Sequence, residues 1–282
     1  MNDTLSADLK AAIKANVAAA LAEDIGDGDR TAALIPEDHK AGATVIAREA
    51  GVIAGQPWFE AVFAALSERI VIEWAIEEGA LAASGDTVCV LCGPARPLLS
   101  GERAALNFLQ TLSAVASRTR ECVDLVAGTR ATILDTRKTL PGLRHAQKYA
   151  VVQGGGQNHR MGLYDAILIK ENHIAAAGSI AAAVDGARRW SPGLSVEVEV
   201  EDLGQLDQAL AANADIIMLD NFDLPLLREA VAINAGRAKL EASGGVRPDS
   251  LRAIAETGVD YVSIGALTKD IRALDLSLRF DL

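Results

Sequence analysis

Hydrophobic and polar positions follow two different patterns along this chain of 282 residues. Up to about residue 112, strand-like and helical stretches follow one another without a fixed alternation. From about residue 118 onward, short apolar runs alternate with helical stretches, and such alternation indicates parallel strands. We therefore predict an α/β protein with an N-terminal α+β sandwich lobe over residues 1–112 and an irregular parallel α/β barrel over residues 113–268. The tail, residues 269–282, is expected to return to the first lobe, and a doubly wound sheet is the alternative for the second domain.

The first lobe is predicted to begin with a helix over Ser6–Ala22. Ser6 suits its N-cap, because a serine hydroxyl accepts hydrogen bonds from the free N–H groups of a helix start. The Asp-rich residues 23–31 predict a turn held by Asp side chains, since their spacing does not match a calcium loop. The remaining elements of this lobe are predicted as two short strands within 42–55, a helix over Pro57–Ser67, strands in VIEWAI and DTVCVLCG, and a helix over Gly101–Ser117.

Six strands and five helices are predicted for the second domain. Such a barrel would be irregular, because a regular (β/α)8 barrel has eight strands. The predicted strands are Ala131–Asp135, Ala166–Lys170, Ser195–Val200, Asp215–Leu219, Lys239–Ala242 and Tyr261–Ile264. The predicted helices are Leu143–Val151, Ser179–Arg189, Leu203–Asn213, Pro225–Ala235 and Pro248–Thr257.

Every predicted strand of the second domain ends in polar residues or glycine. Chemistry in parallel α/β folds collects where the strands end, so this succession of endings indicates a ligand site. The stretch 134–173 is the densest part, and it predicts a cationic pocket for a small, multiply charged anion. Its basic residues are Arg137, Lys138, Arg160, Lys170, His145, His159 and His173.

The third predicted strand alternates valine with glutamate. Glu197, Glu199 and Glu201 would share one face, and a column of three carboxylates resists burial unless cations accompany it. An exposed edge strand would explain this pattern without any ligand. In a barrel interior, Lys138, Lys170, Mg²⁺ or a positive charge developing on a substrate could supply the counter-charge, and we favour this position.

Two glycine features suit a phosphate group. Ser243-Gly244-Gly245 and Gly265-Ala266 follow consecutive late strands and lead toward helices, whose first N–H groups attract anions. Gly154-Gly155-Gly156 could form a similar anion nest, but a flexible turn after a helix explains this run at least as well.

Composition narrows the classes of function. The net charge of −11 and the pI near 4.9 argue against nucleic acid or an acidic membrane as the main partner, because both need a broad basic face. We see no signal peptide and no apolar run near the ~20 residues of a membrane span, so we expect a cytoplasmic protein. Three cysteines fit a reducing compartment. Cys89 and Cys92 lie in a strand-like run, where residues three apart face opposite ways, so they are expected to be ordinary core cysteines.

The motifs of this chain resemble those of the quinolinate phosphoribosyltransferase family, in the family's order and over nearly the whole length. They are LAEDIGDGDRT, GPARPLLSGERAALNFLQTLSAVAS, LDTRKTLPGLR, KYAVVQGGGQNHRMGLYDAILIKENH, VEVEVEDLGQLDQAL, IIMLDNF, LEASGGV and SIGALT. The chain departs from the family pattern at Leu140, where a second threonine is frequent. The resemblance implies a sandwich lobe with an irregular α/β barrel and a homodimer as the working unit. It also implies phosphoribosyl transfer from phosphoribosyl pyrophosphate to quinolinate with Mg²⁺, giving nicotinate mononucleotide, pyrophosphate and CO₂.

The resemblance further implies roles for individual residues. Lys138 and Lys170, with the acids Glu199 and Asp220, are expected to be catalytic, and Mg²⁺ is expected to come with the diphosphate rather than to be held by the protein alone. Arg103 is expected to reach into the partner's site of the homodimer, which would explain a cation in the first turn of a predicted helix, where the dipole disfavours it. The expected substrate-binding residues are Arg103, Thr136, Arg137, Lys138, His159, Arg160, Lys170, Glu199, Asp220, Ser243, Gly244, Gly245, Ile264, Gly265 and Ala266.

Three other hypotheses stay open. Lys170 could form a Schiff base in an aldolase-type lyase. A transferase of the related molybdate-associated branch would share the phosphoribosyl site and differ in its acceptor. A non-catalytic anion sensor would bind ligand without releasing pyrophosphate. Among the histidines, His145 is predicted on a helix surface, His39 in a loop, and His173 either as a helix cap or in a pocket wall.

Overall fold

A computed structural model describes residues 5–281 of the chain. The chain forms two compact units: the first combines Met1–Arg120, Thr139–Gly155 and Leu267–Leu282, and the second combines Glu121–Lys138 and Gly156–Ala266. Thr139–Gly155, which the sequence assigns to the barrel, belongs to the first unit, so the second unit is interrupted in the chain. Within the described residues, no helix is both long enough and apolar enough to cross a membrane.

The elements follow the predicted order closely. The helices are α1 (Ala7–Ile25), α2 (Gln56–Leu66), α3 (Ala95–Leu125), α4 (Arg144–Gln153), α5 (Glu171–Ala177), α6 (Ile180–Trp190), α7 (Leu203–Ala211), α8 (Leu224–Asn234), α9 (Pro248–Ala255) and α10 (Ala266–Lys269), with a short 3₁₀ helix at Ala32–Leu34. The strands are β1 (Lys40–Ala47), β2 (Gly51–Val52), β3 (Val71–Trp74), β4 (Leu81–Ala82), β5 (Thr87–Pro94), β6 (Thr132–Leu134), β7 (Ile167–Ile169), β8 (Val196–Val200), β9 (Ile216–Asp220), β10 (Lys239–Ser243), β11 (Tyr261–Ser263) and β12 (Leu276–Asp281).

The first unit contains a four-stranded antiparallel sheet in the order β12-β1-β5-β3. Strand β12 pairs with β1, which confirms the predicted return of the tail; Leu282 lies outside the described residues. Alternate residues of β1 are buried, as expected for a sheet with one face on a core. That core includes Phe59 and Phe63 of α2, whose rings meet edge-on with centroids 5.1 Å apart.

Two local predictions for the first unit are confirmed. The Ser6 hydroxyl accepts the Leu9 N–H at 3.3 Å and caps α1. Asp29 Oδ1 accepts the N–H groups of Thr31 and Ala32 at 2.9 Å each, so a side chain holds the turn after α1. On β5, Cys89 is buried, as expected for a core cysteine, but Cys92 faces the other way and is exposed, so the core prediction was wrong for Cys92.

Helix α3 begins at Ala95 rather than Gly101, so the predicted helix start was wrong. Pro97 lies in the first turn, where the missing N–H of proline would have no helical partner in any case. Gly101 lies where a Cβ would come within 2.7 Å of the Phe63 ring, so close packing against α2 requires a glycine there. Arg103 therefore lies beyond the first turn, and the helix-dipole argument for its role no longer holds.

The glycine run at residues 154–156 ends α4. Gly154 is the C-cap of α4, and a Cβ on it would lie 2.4 Å from the carbonyl oxygen of Ala116. Gly155 has a φ of 91°, which glycine adopts without a steric penalty. The turn is therefore the correct alternative, and close packing is a second reason for glycine.

The second unit contains a six-stranded parallel sheet in the order β6-β11-β10-β9-β8-β7. Strands β7 to β11 pair in chain order, and β6 then pairs with β11. The order is circular and, among the described strands, breaks between β6 and β7, where Leu134 forms an isolated bridge with Gln157. A doubly wound sheet would reverse its strand order at a switch point, so the parallel α/β barrel is the correct alternative.

Two short helices of the chain were not predicted. Helix α5 directly follows Lys170, and α10 begins at Ala266. Neither is long enough to show the periodic apolar stripe by which a helix is recognised in a sequence. His173 belongs to α5, and its Nδ1 accepts the Lys170 N–H at 2.9 Å, which confirms the helix-cap interpretation. His39 lies in a loop, and His145 lies half-buried on α4.

Candidate active site

A cavity of about 510 Å³ lies at the carboxyl ends of the parallel strands in the second unit. This is where parallel α/β barrels place their chemistry. Of the basic residues predicted for the pocket, His145, His173 and Arg103 are not among the lining residues of this cavity. The others line it together with both predicted acids, Glu199 and Asp220. The lining residues are Thr136, Arg137, Lys138, His159, Arg160, Leu168, Lys170, Glu199, Met218, Asp220, Asn221, Glu241, Ser243, Gly244, Gly245 and Ser263.

Strand periodicity arranges these side chains in two layers. Residues two apart on a strand point to the same face, so both Met218 and Asp220 of β9 reach the cavity. In the strand register, Met218 lies beside Glu199 on β8 and beside Glu241 on β10. Asp220 lies beside Ser243, one step nearer the strand ends. The outer layer is therefore the one that a ligand entering from the strand ends meets first.

Glu199 forms an ion pair with Lys170, which directly follows β7. Strand β8 lies between β7 and β9 and is therefore not an edge strand, and Glu199 lines the cavity while Glu197 is buried, as predicted for an interior position. Glu201, however, is exposed beyond the end of β8, where Asp202 caps α7. The predicted column of three carboxylates therefore has two members, Glu197 and Glu199.

Arg137 and Arg160 are neighbouring cations in this cavity. Burial, and then the positive charge of Arg137, lower the pKa of Arg160, while Glu197 and Asp165 act in the opposite direction. Arg160 nevertheless keeps its proton, because a guanidinium group is not deprotonated in proteins. Arg160 Nη1 also donates to the Ala166 carbonyl at 3.3 Å. Two like charges in a partly buried site repel each other, and a bound anion would offset that repulsion.

The Lys138 side chain runs alongside Gly265. A Cβ on Gly265 would lie 3.0 Å from Lys138 Cδ and 3.5 Å from Thr136 Oγ1, so glycine leaves room for the lysine. The Lys138 N–H donates to Thr136 Oγ1 at 3.1 Å, which holds the chain after β6 in a turn. Gly265 thus supports the cavity, although Ile264, Gly265 and Ala266 are not among its lining residues.

The loop after β10 depends on glycine at two positions. Gly244 and Gly245 have φ values of 92° and 60°. A Cβ on Gly244 would lie only 2.2 Å from Asn221 Oδ1, so no other residue fits against that side chain. Asn221 Nδ2 in turn donates to Asp220 Oδ2 at 2.7 Å. Helix α9 begins only at Pro248, so the glycine loop does not lead directly into a helix as predicted.

Three buried or half-buried titratable side chains form a group at the cavity, and two of them, His159 and Glu241, line it. His159 Nε2 is 2.8 Å from Glu197 Oε2 and 3.6 Å from Glu241 Oε2. Burial, and then the charge of Glu197, raise the pKa of Glu241, although His159 acts against this. Sequence analysis missed Glu241. The signal was available, because Ser243 was expected at the ligand, and a residue two positions earlier on a strand faces the same interior.

These three residues also have the spacing of a metal site. Among the described residues, only His159, Glu197 and Glu241 form a group of His, Cys, Asp or Glu whose donor atoms lie within 4.8 Å of one another. The 2.8 Å separation of His159 Nε2 and Glu197 Oε2 is, however, that of a direct hydrogen bond, which uses the same atoms. Mg²⁺ prefers oxygen ligands and keeps several waters, so the carboxylates of Glu199 and Asp220 in the cavity suit it better.

Arg103 does not line this cavity. It lies on α3 in the first unit with its side chain 58% exposed, and its Nη2 is 3.9 Å from Glu102 Oε1. The cations that the second unit brings together therefore come from the segments after β6 and β7 and from the loop before β7. A contribution of Arg103 to the site of a partner chain stays a prediction.

Comparisons with known proteins agree on one family. Models of the quinolinate phosphoribosyl transferase N-terminal and C-terminal domains match residues 29–113 and 115–279. The chain is 43% identical to the nicotinate-nucleotide pyrophosphorylase (carboxylating) of Mycobacterium leprae over 268 residues, which are 92% of this chain and 94% of that protein. It is 42% identical to the chloroplastic enzyme of the same name from Oryza sativa subsp. japonica over 290 residues, covering 95% of this chain and 78% of that protein. The structure of the nicotinate-nucleotide pyrophosphorylase from Francisella tularensis matches with a TM-score of 0.94 at 44% identity, covering 99% of this chain and 98% of that one.

Proposed function

This chain belongs to the quinolinate phosphoribosyltransferase family, and on that premise we propose the reaction that it catalyses. It transfers the phosphoribosyl group of phosphoribosyl pyrophosphate to the ring nitrogen of quinolinate, and the products are nicotinate mononucleotide, pyrophosphate and CO₂. The observation that carries this proposal is the cavity lining, in which four cations face Glu199 and Asp220. Both substrates are polyanions and the reacting ribose becomes positively charged, so the reaction needs side chains of both signs.

Arg137 and Arg160 bind the two carboxylates of quinolinate. Guanidinium groups pair with carboxylates through two parallel hydrogen bonds, and the dianion offsets the repulsion between the two arginines. Lys170 adds a cation at the end of β7, and His159 borders this part of the cavity. These contacts hold the ring in a defined orientation, which is the main requirement for attack by its nitrogen.

A homodimer completes this binding site, with Arg103 reaching the cavity of the partner chain. The support is that Arg103 is exposed on α3 and outside its own chain's cavity lining. The cytoplasm is the proposed compartment, because a chain of this length with only three cysteines fits a reducing environment.

Glu199 and Asp220 act on the ribose. As the bond from C1 of the ribose to the diphosphate oxygen breaks, the sugar approaches an oxocarbenium ion, and the lone pair of the ring nitrogen forms the new bond to C1. The two carboxylates hold ribose hydroxyls and favour the positive charge at C1. Lys170, paired with Glu199, keeps that carboxylate in place within the cavity.

Lys138 neutralises the pyrophosphate as it leaves. Its side chain runs along Gly265 at the cavity, where a flexible ammonium group can follow a departing anion. Glu199 and Asp220 would hold the waters of an Mg²⁺ ion that accompanies the diphosphate, because carboxylate oxygens suit those waters. When bound, Mg²⁺ supplies further positive charge to the leaving group.

The 5′-phosphate binds at the loop Ser243–Gly245. Positive φ values at both glycines let backbone N–H groups turn toward one anion without interference from side chains. Ile264 and Gly265 follow β11, the strand paired with β10, and Ala266 begins α10, so this segment is the proposed second part of the phosphate site.

Decarboxylation follows from the chemistry of the substrate. Once the ring nitrogen is quaternary, the carboxylate on the adjacent carbon leaves as CO₂, and the electron pair of the broken bond stays on that carbon until it takes up a proton. The positive nitrogen stabilises this carbanion, so the protein needs only to position the ring and exclude water. No covalent bond to the enzyme is required.

The Schiff-base lyase is disfavoured by one contact. Lys170 forms an ion pair with Glu199, and the ammonium group of such a pair has no lone pair with which to attack a carbonyl. The non-catalytic sensor and the transferase with another acceptor are distinguished by assay.

The test is a coupled assay with purified protein, Mg²⁺, phosphoribosyl pyrophosphate and quinolinate. Pyrophosphate and CO₂ should appear in equal amounts. Nicotinate, which lacks the second carboxylate, should release pyrophosphate at least ~100-fold more slowly, because one buried guanidinium would be left without its partner. No pyrophosphate release with quinolinate, or equal release with nicotinate, would contradict the proposed function.

A further inference from the structure

The two ring nitrogens of His159 are both engaged within the protein. Nδ1 accepts the backbone N–H of Arg160 at 2.8 Å, so the ring hydrogen is on Nε2. Nε2 lies 2.8 Å from Glu197 Oε2 and donates to it. The ring therefore contacts two other parts of the site and fixes their relative positions.

The backbone of His159 is also held by a hydrogen bond. The His159 N–H donates to Asp135 Oδ1 at 3.0 Å, and Asp135 is fully buried directly after β6. His159 thus donates its own N–H to Asp135, and its ring accepts the N–H of the next residue. Arg160 follows immediately, so these contacts fix the point from which its guanidinium reaches the cavity.

The glutamate that receives the imidazole N–H cannot move freely. Glu197 is the second residue of β8, and its side chain is 5% exposed. The nearby Glu241 side chain is fully buried, and neither of its carboxylate oxygens makes a well-formed hydrogen bond with the described residues. Burial and the charge of Glu197 raise the pKa of Glu241, which keeps this second acid neutral and allows both to pack together.

We propose that Glu197, with His159 and Glu241, is a positioning residue that holds Arg160 in place for one carboxylate of the substrate. This inference rests on the proposed function, because it assigns the trio to the quinolinate half of the site. Glu197 acts through position: its oxygen must be where the imidazole N–H of His159 can reach it. Its charge is secondary, since Arg160 has other acids near it, such as Asp165.

Two substitutions at Glu197 separate position from charge. Glu197→Gln keeps an acceptor oxygen at the same reach and removes the charge. Glu197→Asp keeps the charge and withdraws the oxygen by about 1.5 Å, the length of one carbon–carbon bond, which breaks a 2.8 Å hydrogen bond. Glu201→Gln is the matched control, because this glutamate is exposed just beyond the same strand.

The readouts are KM for each substrate, turnover, and direct titration of quinolinate without phosphoribosyl pyrophosphate. Glu197→Asp should raise KM and Kd for quinolinate ~10-fold or more and leave KM for phosphoribosyl pyrophosphate within ~3-fold, on the scale of one hydrogen bond to a charged group. Glu197→Gln should stay within ~3-fold of the wild type in all of these, as should Glu201→Gln. A general loss of structure would raise both KM values together, so the split between substrates identifies positioning.

The reverse order, with a large effect in Glu197→Gln and a small one in Glu197→Asp, would overturn the inference in favour of a charge effect. Equal changes in both KM values would overturn it as well. Should Glu197→Asp fail to fold, His159→Asn breaks the same contact from the other side, and the same split between substrates is expected. A wild-type protein without activity would instead refute the proposed function, whatever the variants bind.

Discussion

The two ends of the parallel sheet in the second unit both carry cavities lined by cations. At the amino ends of the strands lies a cavity of about 610 Å³, larger than the one of about 510 Å³ at the carboxyl ends. The cations of the amino-end cavity are Arg130, Arg188, Arg237 and Lys239, and its acids are Asp215 and Asp260. By volume and charge alone, the two ends would be hard to tell apart.

The two cavities differ in the partners that their cations have. Lys239 and Arg130 both bind Asp260, and Arg188 donates to the Asn213 carbonyl at 2.6 Å. Arg237 donates to carbonyls in the last turn of α8, where cations stabilise the negative end of a helix. These side chains close loops and helix ends, which is the role that barrels give to this face.

At the carboxyl ends, by contrast, two guanidinium groups are neighbours, and the pKa of Arg160 is lowered first by burial and then by the positive charge of Arg137. An arrangement that costs stability in the free protein suggests a role in binding an anion. A cationic cavity is therefore identified as a binding site by how its cations repel, and not by how many it contains.

The largest expected difference between the ends is in turnover. Lys138→Ala should lower kcat at least ~100-fold, because one charge contact to the leaving pyrophosphate is lost from the transition state. Lys239→Ala removes the same side chain from the other end and should leave kcat within ~2-fold. Steady-state rates of the two purified variants provide the comparison, and a Lys138→Ala protein with near-normal activity would refute the role of that lysine.

The second prediction is that the carboxyl-end site needs residues from two chains. Arg103→Ala and Arg137→Ala should each lower activity severely, and mixing the two chains should restore about a quarter of the wild-type rate, since half of the dimers would hold one intact site. A mixture of Arg137→Ala with Lys138→Ala provides the control, because both residues belong to the same chain's site and no rescue is expected. Proven heterodimers of the first pair without activity would exclude sharing of Arg103.

The next largest effect should be that of ionic strength on substrate binding at the carboxyl ends. Both substrates are anions that enter a cavity of permanent cations, so each KM should rise several-fold between ~50 and ~300 mM salt as the charges are screened. KM values at several concentrations of a non-binding salt test this. Salt-independent KM values would mean that the cations do not face the substrates.

The strands and the ends of the barrel could be predicted because they depend on local patterns. All six strands of the second unit are confirmed to within a residue or two, since an apolar run between polar stops is visible without knowledge of the fold. The clustering of Arg137 with Lys170 could be predicted as well, because each residue follows a parallel strand and parallel strands end at one edge of the sheet. The helix start at Ala95 was not predicted, because Gly101 was taken for the beginning of the helix. A glycine is needed at this position because of contact with Phe63 of another helix, which the sequence does not show.

Glu241 shows the limit of such arguments more sharply. Strand alternation with Ser243 indicates that Glu241 faces the interior, but it does not indicate which side chains would accompany a buried glutamate there. Its partners His159 and Glu197 come from distant parts of the chain, and only the circular strand order brings them within hydrogen-bonding reach. The same holds for Asp260, whose two cations were not predicted.

The smallest expected effect on activity, and the clearest on stability, is at Asp260. Burial alone would raise the pKa of Asp260, but hydrogen bonds from Lys239, the Leu240 N–H and Arg130 outweigh it and lower the pKa below its usual range. Lys239 Nζ lies 2.8 Å from this carboxylate. Asp260→Asn should therefore lower the free energy of unfolding at neutral pH by ~1–2 kcal/mol, while kcat stays unchanged.

The stabilising effect of Asp260 should depend on pH. A carboxyl group whose pKa is lower in the folded state stabilises the fold above its unfolded pKa, and this contribution is lost as the pH falls through the folded value. Denaturant titrations of both proteins should therefore differ at pH 7 and converge below pH ~4. A loss of turnover without a loss of stability in Asp260→Asn would mean that residues at the amino ends of the strands take part in catalysis. The proposed difference between the two cavities would then be wrong.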